Sequence, residues 1–269
     1  LLSGIAWDHI NVFPTFEDYV KQFEIFVSQI TNGGALVYNQ EDEEVVKVVE
    51  SSDNPIKKYP YKTPSHAVSN GATLLDTPEG PMPLEIFGKH NLNNLEGARW
   101  ICQLMGVDEA DFYEAIATFK GASKRLECIA ETERAAAYKD YAHSPSKVKA
   151  TTQAVKEQYP DRKLIACLEL HTYSSLNPDF LTEYQGALDA ADVAVVYYSP
   201  HAVMIKQLAE IKQEQIEEAF QREDLITFTD PADFKTFLFT EEYQDSVLLL
   251  MSSGNYGGLD FTEIKEHLT

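Results

Sequence analysis

The sequence predicts an α/β chain whose C-terminal half is a mostly parallel sheet with helices on both faces, preceded by an α+β portion. Three observations carry that prediction. Beyond residue 126 the apolar runs 164–168, Val193–Tyr198 and Ser246–Met251 alternate with helical patterns, which is how strands buried on both faces read. Before residue 121 short extended segments mix with amphipathic helices without that alternation. At 269 residues, with 44% hydrophobic and 11% aromatic side chains, the chain is long enough for two domains and too apolar for an acidic disordered one.

Residues 16–30 place Phe16, Tyr19, Val20, Phe23, Phe26, Val27 and Ile30 three and four apart, on one helical face. Asn32-Gly33-Gly34 then leads into a strand at 35–38. Residues 44–49, 56–61, 72–76 and 84–87 read as further extended segments, punctuated by Pro55, Pro64, Pro78 and the Pro81/Pro83 pair. From His90 the pattern is helical, with Leu95, Ala98, Ile101, Cys102 and Met105 in one stripe that Gly106 closes. Asp108 caps a second helix reaching Phe119. Segments 126–130 and 135–141 suit a hairpin across Glu133-Arg134. Thereafter come a helix at 146–158, a strand at 164–168, a helix at 179–190 and a strand at Val193–Tyr198. Two polar helices across 202–221, a strand at 225–228, a helix at 231–239 and the strand Ser246–Met251 complete the order. The boundary falls near Gly121, dividing 1–121 from 122–269.

Lys and Arg number 22 against 43 Asp and Glu, a net charge of −21 that would repel phosphate backbones and excludes a nucleic-acid binder. No apolar run approaches the roughly eighteen residues of a membrane span, so no membrane insertion is expected. Cys102, Cys128 and Cys167 are odd in number and lack CxxC spacing, as expected of buried, reduced thiols in a cytoplasmic protein. The opening Leu1-Leu2-Ser3-Gly4-Ile5 has neither methionine nor the marks of a signal peptide, and reads as the tail of an apolar strand. The expectation is a fragment.

Ligands of open α/β sheets bind outside the carboxyl ends of the strands, so those loops hold the candidates. After Leu170 comes His171-Thr172-Tyr173-Ser174-Ser175-Leu176-Asn177-Pro178, dense in hydrogen-bonding side chains. Asp140-Tyr141-Ala142-His143-Ser144-Pro145-Ser146 runs into a helix N-terminus, where backbone N–H groups with His143 and Ser144 suit an anion, or the serines simply cap the helix. Ser252-Ser253-Gly254-Asn255-Tyr256-Gly257-Gly258 lets the backbone approach a ligand, or is a plain turn. In the first part Asp8-His9 suits a divalent metal, or a satisfied, partly buried histidine. His90 and Asn94, four apart on one helix side, suit a planar heterocycle, or ordinary capping. Lys124-Arg125 reads as a solvated linker, with the arginine as a phosphate clamp in the sharper reading.

In order and spacing these segments resemble the Mur ligase family, ATP-dependent amide-bond ligases of bacterial peptidoglycan assembly. The stretches that carry the resemblance are Ile5-Ala6-Trp7-Asp8-His9, Gly88-Lys89-His90-Asn91-Leu92-Asn93-Asn94, Phe119-Lys120-Gly121-Ala122-Ser123-Lys124-Arg125-Leu126-Glu127, Asp140-Tyr141-Ala142-His143-Ser144-Pro145 and Ser253-Gly254-Asn255-Tyr256-Gly257-Gly258. The resemblance implies the end of the family's central ATPase domain over 1–121 and its Rossmann-like C-terminal domain over 122–269. It implies ATP and Mg²⁺, with His9 as metal ligand, His90 and Asn94 on the adenine, and Arg125 on the γ-phosphate. It further implies Asp140 at a hinge near ATP and metal, and His143 near the incoming amine. Arg125, Asp140 and His143 form the implied catalytic set. Tyr141, His143, Ser144, His171, Thr172, Tyr173, Ser174 and Asn255 are the implied substrate contacts. UDP-N-acetylmuramate and an amino acid or muropeptide are the implied partners.

Departures from the family pattern narrow these expectations. The Gly-rich loop ending Gly-Lys-Thr-Thr is missing, and Gly88-Lys89 is not it, because Pro83 takes the place of its first glycine and His90 that of Ser/Thr. The UDP-sugar domain is missing too, so the chain is expected to be inactive alone. Glu24 stands where some members carry a carbamylated lysine, so no carbamate is expected. Thr172 and Ser175 replace arginines that the muramate–alanine branch carries, which disfavours the carboxylate of free L-alanine. The recycling branch fits better, although it usually has arginine where this chain has His171. The expected reaction joins L-Ala-γ-D-Glu-meso-diaminopimelate to UDP-N-acetylmuramate through an acyl phosphate. The alternatives are ligation of L-alanine and a non-catalytic nucleotide-binding module.

Overall fold

The computed structural model describes residues 1–69 and 71–268. Asn70 and Thr269, the last residue of the expected second domain, lie outside the described residues. The chain divides into two compact units, Leu1–Lys120 and Gly121–Thr269.

In the first unit, helix α1 (Phe16–Ser28) starts where the Thr15 hydroxyl accepts from the Asp18 N–H. Strand β1 (Ala35–Asn39) is followed by helix α2 (Glu43–Glu50) and by strand β2 (Lys57–Tyr61), which pairs parallel with β1. Leu2 also bridges Tyr38 in parallel, donating to Val37 O and accepting from Asn39 N. Leu2, Ile5, Val27, Leu36 and Tyr38 pack with the valines of α2 as one core.

Helix α2 corrects the extended segment expected at 44–49. Its β-branched residues suggest a strand, but Val45, Val48 and Val49 recur at helical spacing and all three are buried. Asp42 starts the helix: one carboxylate oxygen accepts from Val45 N at 3.0 Å and the other from Ile5 N at 3.0 Å. Asp42→Ala is therefore expected to destabilise the chain by about 1–2 kcal/mol, the usual effect of losing an N-cap. Urea unfolding checks it, with Asp42→Asn expected to lose less.

Strands β3 (His66–Ser69), β4 (Ala72–Thr77) and β5 (Gly80–Leu84) form an antiparallel sheet in that order. The expected strand at 84–87 is displaced to β5, which contains Pro81 and Pro83. An edge strand tolerates prolines because one side of it needs no N–H. Helices α3 (Lys89–Leu104) and α4 (Glu109–Ala117) cover this sheet through Leu75, Ile86, Leu95 and Phe112. Arg99 holds Glu96 of its own helix and Glu109 of α4.

The second unit runs β6 (Glu127–Glu131), β7 (Ala135–Asp140), α5 (Pro145–Gln158), β8 (Lys163–Leu170), β9 (Val193–Tyr198), α6 (Pro200–Ile205), α7 (Gln213–Phe220), β10 (Ile226–Phe228), α8 (Pro231–Thr240), β11 (Ser246–Met251) and α9 (Phe261–Leu268). The sheet order is β10-β9-β8-β11-β7-β6. All pairs are parallel except the expected β6–β7 hairpin. Ile165, Cys167, Leu248 and Leu250 face α8 and α9, packing with Phe234, Leu238 and Ile264. The alternate residues of β11 pack on the α5 side, where the Thr152 hydroxyl reaches Met251 Sδ.

Two further expectations are corrected here. The helix at 179–190 is a 3₁₀ stretch, Pro178–Tyr184, and Gly186 (φ 69°) prevents its continuation. Of the cysteines, only Cys167 is buried: Cys102 is half-buried and Cys128 exposed, on the outermost strand of the sheet. All three are free thiols. Among the described residues no helix is long and apolar enough to cross a membrane.

Candidate functional site

Parallel pairing puts three loops on one edge of the second unit. Met251 of β11 lies opposite both Asp140 of β7 and Leu168 of β8, so the segments beginning at Tyr141, His171 and Ser252 leave neighbouring strands at similar height. Asp140 is buried, and both its oxygens are taken by backbone: Oδ2 by Leu126 N at 2.7 Å and Oδ1 by Ala142 N at 2.6 Å. Tyr141 N donates to Lys124 O. These bonds hold a segment in which Lys124 (φ 58°) and Leu126 (φ 42°) adopt left-handed backbone on either side of Arg125. The Arg125 guanidinium is exposed and lies 5.4 Å from the centre of the Tyr141 ring. Tyr141 in turn meets His143 edge-on. His143 is buried with Nδ1 at 2.8 Å from Tyr141 O, and because a carbonyl only accepts, that nitrogen carries the proton. Ser144 is buried at the N-cap of α5, where its side chain makes no capping bond.

The loop after β8 binds mostly to itself. Thr172 N and Thr172 Oγ1 both bond Ser175 Oγ, and Ser175 N returns a bond to Thr172 Oγ1. Ser174 is buried and Tyr173 exposed. His171 is less than half exposed, with Nδ1 3.6 Å from Oε1 of Glu169. Sequence reasoning passed over Glu169. It is only 3% exposed within an otherwise apolar strand, and its Oε2 accepts from the Ser252 hydroxyl and from Tyr256 N at 2.8 Å. Asn255 is exposed and turns back to accept from Gly258 N. Two of the three glycines of this loop, Gly254 and Gly257, are pressed against other parts of the chain, while Gly258 faces open space. A Cβ at Gly254 would meet Glu169 Oε2 at 2.7 Å and His171 Nδ1 at 2.9 Å.

The remaining candidates belong to the first unit. His9 (φ 57°) has an exposed side chain, with Nε2 3.9 Å from the carboxylate of buried Asp8. The imidazole is thus not the buried, satisfied one of the bland reading. At the start of α3, Gly88 is the N-cap and no side chain caps it, so capping does not account for His90 or Asn94. His90 is half-buried and Asn94 exposed.

A polar network missed in the sequence lies beside them at the carboxyl ends of β1 and β2. Asn93 Nδ2 donates to Asn39 Oδ1, Glu41 Oε2 and Thr63 Oγ1, while Lys89 pairs with Glu41 at 3.1 Å. Burial pushes the Glu41 carboxyl up, but the Thr63 hydroxyl and N–H together with Lys89 outweigh it and hold the group at about 2 against an ordinary 4.5. A depressed carboxyl confers stability that is complete above its unfolded value and is lost as pH falls through the folded one. Thermal melts should therefore show wild type losing stability between pH 4.5 and about 2 more steeply than Glu41→Gln. Equal slopes would remove Glu41 from the acid response.

A Mur ligase middle domain model matches residues 1–102, and the Mur ligase glutamate ligase domain matches residues 124–254. The chain belongs to the Mur ligase family. The UDP-N-acetylmuramate–L-alanine ligase of Sulfurihydrogenibium sp. (strain YO3AOP1) is 28% identical over 202 residues, covering 72% of this chain and 44% of that protein. The chain spans about half the length of the curated relatives it matches. Among solved structures, the UDP-N-acetylmuramate–alanine ligase of Thermotoga maritima superposes with a TM-score of 0.65 at 16% identity, over 98% of this chain and 57% of that one. A murein peptide ligase of Psychrobacter arcticus 273-4 gives 0.60 at 17% identity, over 97% and 56%. The Mur middle-domain match contains Asp8, His9, His90 and Asn94. The Mur C-terminal match contains Arg125, Asp140, His143, Glu169, His171 and Gly254.

Proposed function

We propose that this chain supplies part of an ATP-dependent ligase that joins an amine to the carboxylate of UDP-N-acetylmuramate. The observation that carries the reading is one edge of the second unit's sheet in a Mur fold, where exposed Arg125 precedes β6, His143 follows β7 and His171 follows β8, with the Asp140 and Glu169 carboxylates buried at the same strand ends. ATP phosphorylates the carboxylate, and the amine displaces phosphate from the acyl phosphate. Arg125 offers positive charge to the transferring phosphoryl group, with Asp140 positioning its backbone. His143 and His171 face the amine side, with Tyr141, Thr172, Tyr173 and Asn255 on the surface around it and Ser144 and Ser174 buried beneath. His90 and Asn94 take the adenine.

Asp8 and His9 would hold Mg²⁺. Among the described residues no third His, Cys, Asp or Glu joins them. Bound there, Mg²⁺ offsets phosphate charge.

For the amine we favour the peptide L-Ala-γ-D-Glu-meso-diaminopimelate. Thr172 and Ser175 bond each other where an arginine would grip a free amino acid's carboxylate, and Glu169 adds negative charge nearby. The name carried by the relatives favours L-alanine as the second reading. One assay separates the two: ADP formation by the full-length protein with UDP-N-acetylmuramate, ATP and either amine. Turnover with the tripeptide alone supports the first reading, and turnover with L-alanine supports the second. Phosphate release with neither overturns the ligase and leaves a nucleotide-binding module.

A further inference from the structure

We propose that Glu169 and His171 form a carboxylate–imidazole pair in which His171 Nε2 takes a proton from the incoming ammonium group, with Glu169 as the positioning residue. The proposal rests on the ligase reading and names the chemical class that this edge receives, an ammonium rather than a carboxylate. Four observations support it.

Glu169 is a carboxylate in the middle of the sheet, on the strand end between β11 and β9, and it is 3% exposed. Burying a charge is costly unless donors meet it. Here Oε2 has two, the Ser252 hydroxyl and Tyr256 N, which fix the plane of the carboxylate. They leave Oε1 facing His171 Nδ1 at 3.6 Å, a spacing that apo sites often show before a complex tightens them.

The second observation is the ring itself. Nδ1 is the ring nitrogen nearer the carboxylate, and a proton held there would leave the lone pair of the imidazole on Nε2, across the ring from Glu169. The side chain is 43% exposed, so the ring is open to an incoming group. His143 differs, because it is buried and its Nδ1 meets a neutral carbonyl.

Third, the backbone of the β11 loop is pressed onto the pair. Any Cβ at Gly254 would stand 2.9 Å from His171 Cγ and Nδ1. Tyr256, fully buried with its hydroxyl on Cys167 O and Met251 O, anchors that loop. The arrangement is set by three segments far apart in sequence, as a preorganised site requires.

Fourth, the chemistry needs such a group. An α-amine is mostly an ammonium at neutral pH, and it becomes nucleophilic only on losing a proton. The nitrogen's three protons are then accounted for. One passes to Nε2 before attack; the N–C bond forms as the C–O bond to phosphate breaks with its electron pair; a second proton ends on the departing phosphate; the third stays on the amide. His171 then returns its proton to water.

Two measurements test this. In the full chain labelled with ¹⁵N-histidine, NMR should find His171 in the Nδ1–H form, and Glu169→Gln, whose amide would donate to Nδ1, should turn it to the Nε2–H form. An Nε2–H form in wild type overturns the pair. In the full-length ligase, His171→Ala and Glu169→Gln should each lower kcat by roughly 10²- to 10⁴-fold, the range for a general base, with KM for the amine changed far less. Added imidazole should partly restore His171→Ala, which loss of a structural side chain would not allow. Wild-type turnover with kcat unchanged in both variants overturns the base role and leaves the ligase reading standing. Absence of wild-type turnover with every amine overturns the ligase reading and the base role together, while the NMR result still decides whether the pair exists.

Discussion

Arg125→Ala is expected to lower kcat of the full-length protein in the proposed ligation by roughly ten- to a thousandfold, the loss that follows removal of a cation from a transferring phosphoryl group. The chain as a whole carries a net charge of −21, so binding polyanions must rest on local cations. Arg125 is exposed, and among the described residues no carboxylate lies within ion-pair distance of it. Its backbone is costly to hold. Left-handed residues other than glycine cost about 1–3 kcal/mol each, and Lys124 and Leu126 flank it on both sides. The Asp140 carboxylate and the Tyr141–Lys124 bond fix that conformation, and the Tyr141 ring supports the guanidinium. Arg125→Lys keeps the charge but loses the planar fork and its stacking, and should fall between alanine and wild type. Steady-state rates of ADP formation check the series. A kcat equal to wild type in Arg125→Ala would remove the residue from phosphoryl transfer.

How much of this was legible in the sequence depends on whether the signal was local. The apolar runs of β8, β9 and β11 announced a buried parallel sheet, and chain order sufficed to put Tyr141, His171 and Ser252 at one edge. The partners of those residues were not legible. Glu169 is a single acid in an apolar strand, and the donors that make it tolerable, Ser252 and Tyr256, lie 83 and 87 residues away. The same holds for Asn93, whose carboxamide bonds Asn39 and Glu41 across 54 and 52 residues. Local errors had local causes. The valines of α2 carried strand propensity, and only their spacing with the Asp42 cap revealed the helix. Pro81 and Pro83 looked like breaks until the sheet placed them on an edge. Three glycines, 254, 257 and 258, suggested room for a ligand, but only Gly258 has it: the space at Gly254 and Gly257 is filled by Glu169, His171, Tyr197 and Pro231.

Tyr256→Ala is expected to destabilise the protein by about 3–5 kcal/mol, the usual cost of truncating a buried aromatic. The side chain is 1% exposed, stacked on Phe234 at 5.0 Å between centroids and in contact with Tyr197. Its hydroxyl reaches Cys167 O at 2.7 Å and Met251 O at 2.8 Å, joining adjacent strands β8 and β11. Burial keeps that hydroxyl's pKa well above its ordinary range, so it stays a neutral donor at every working pH. Tyr256→Phe keeps the packing but removes the single hydroxyl proton that Cys167 O and Met251 O share, and should cost only about 1–2 kcal/mol. Urea unfolding followed by circular dichroism separates the two variants. The ratio matters more than either value. If phenylalanine costs as much as alanine, the hydroxyl rather than the ring holds the loop. The substitution also reaches the edge of the sheet, because the backbone N–H of Tyr256 is one of the donors to Glu169. A loop released from Phe234 would withdraw that donor and leave a buried carboxylate undersatisfied. Tyr256→Ala should therefore disturb the histidine tautomer at His171, whereas Tyr256→Phe, with the same backbone, should preserve it.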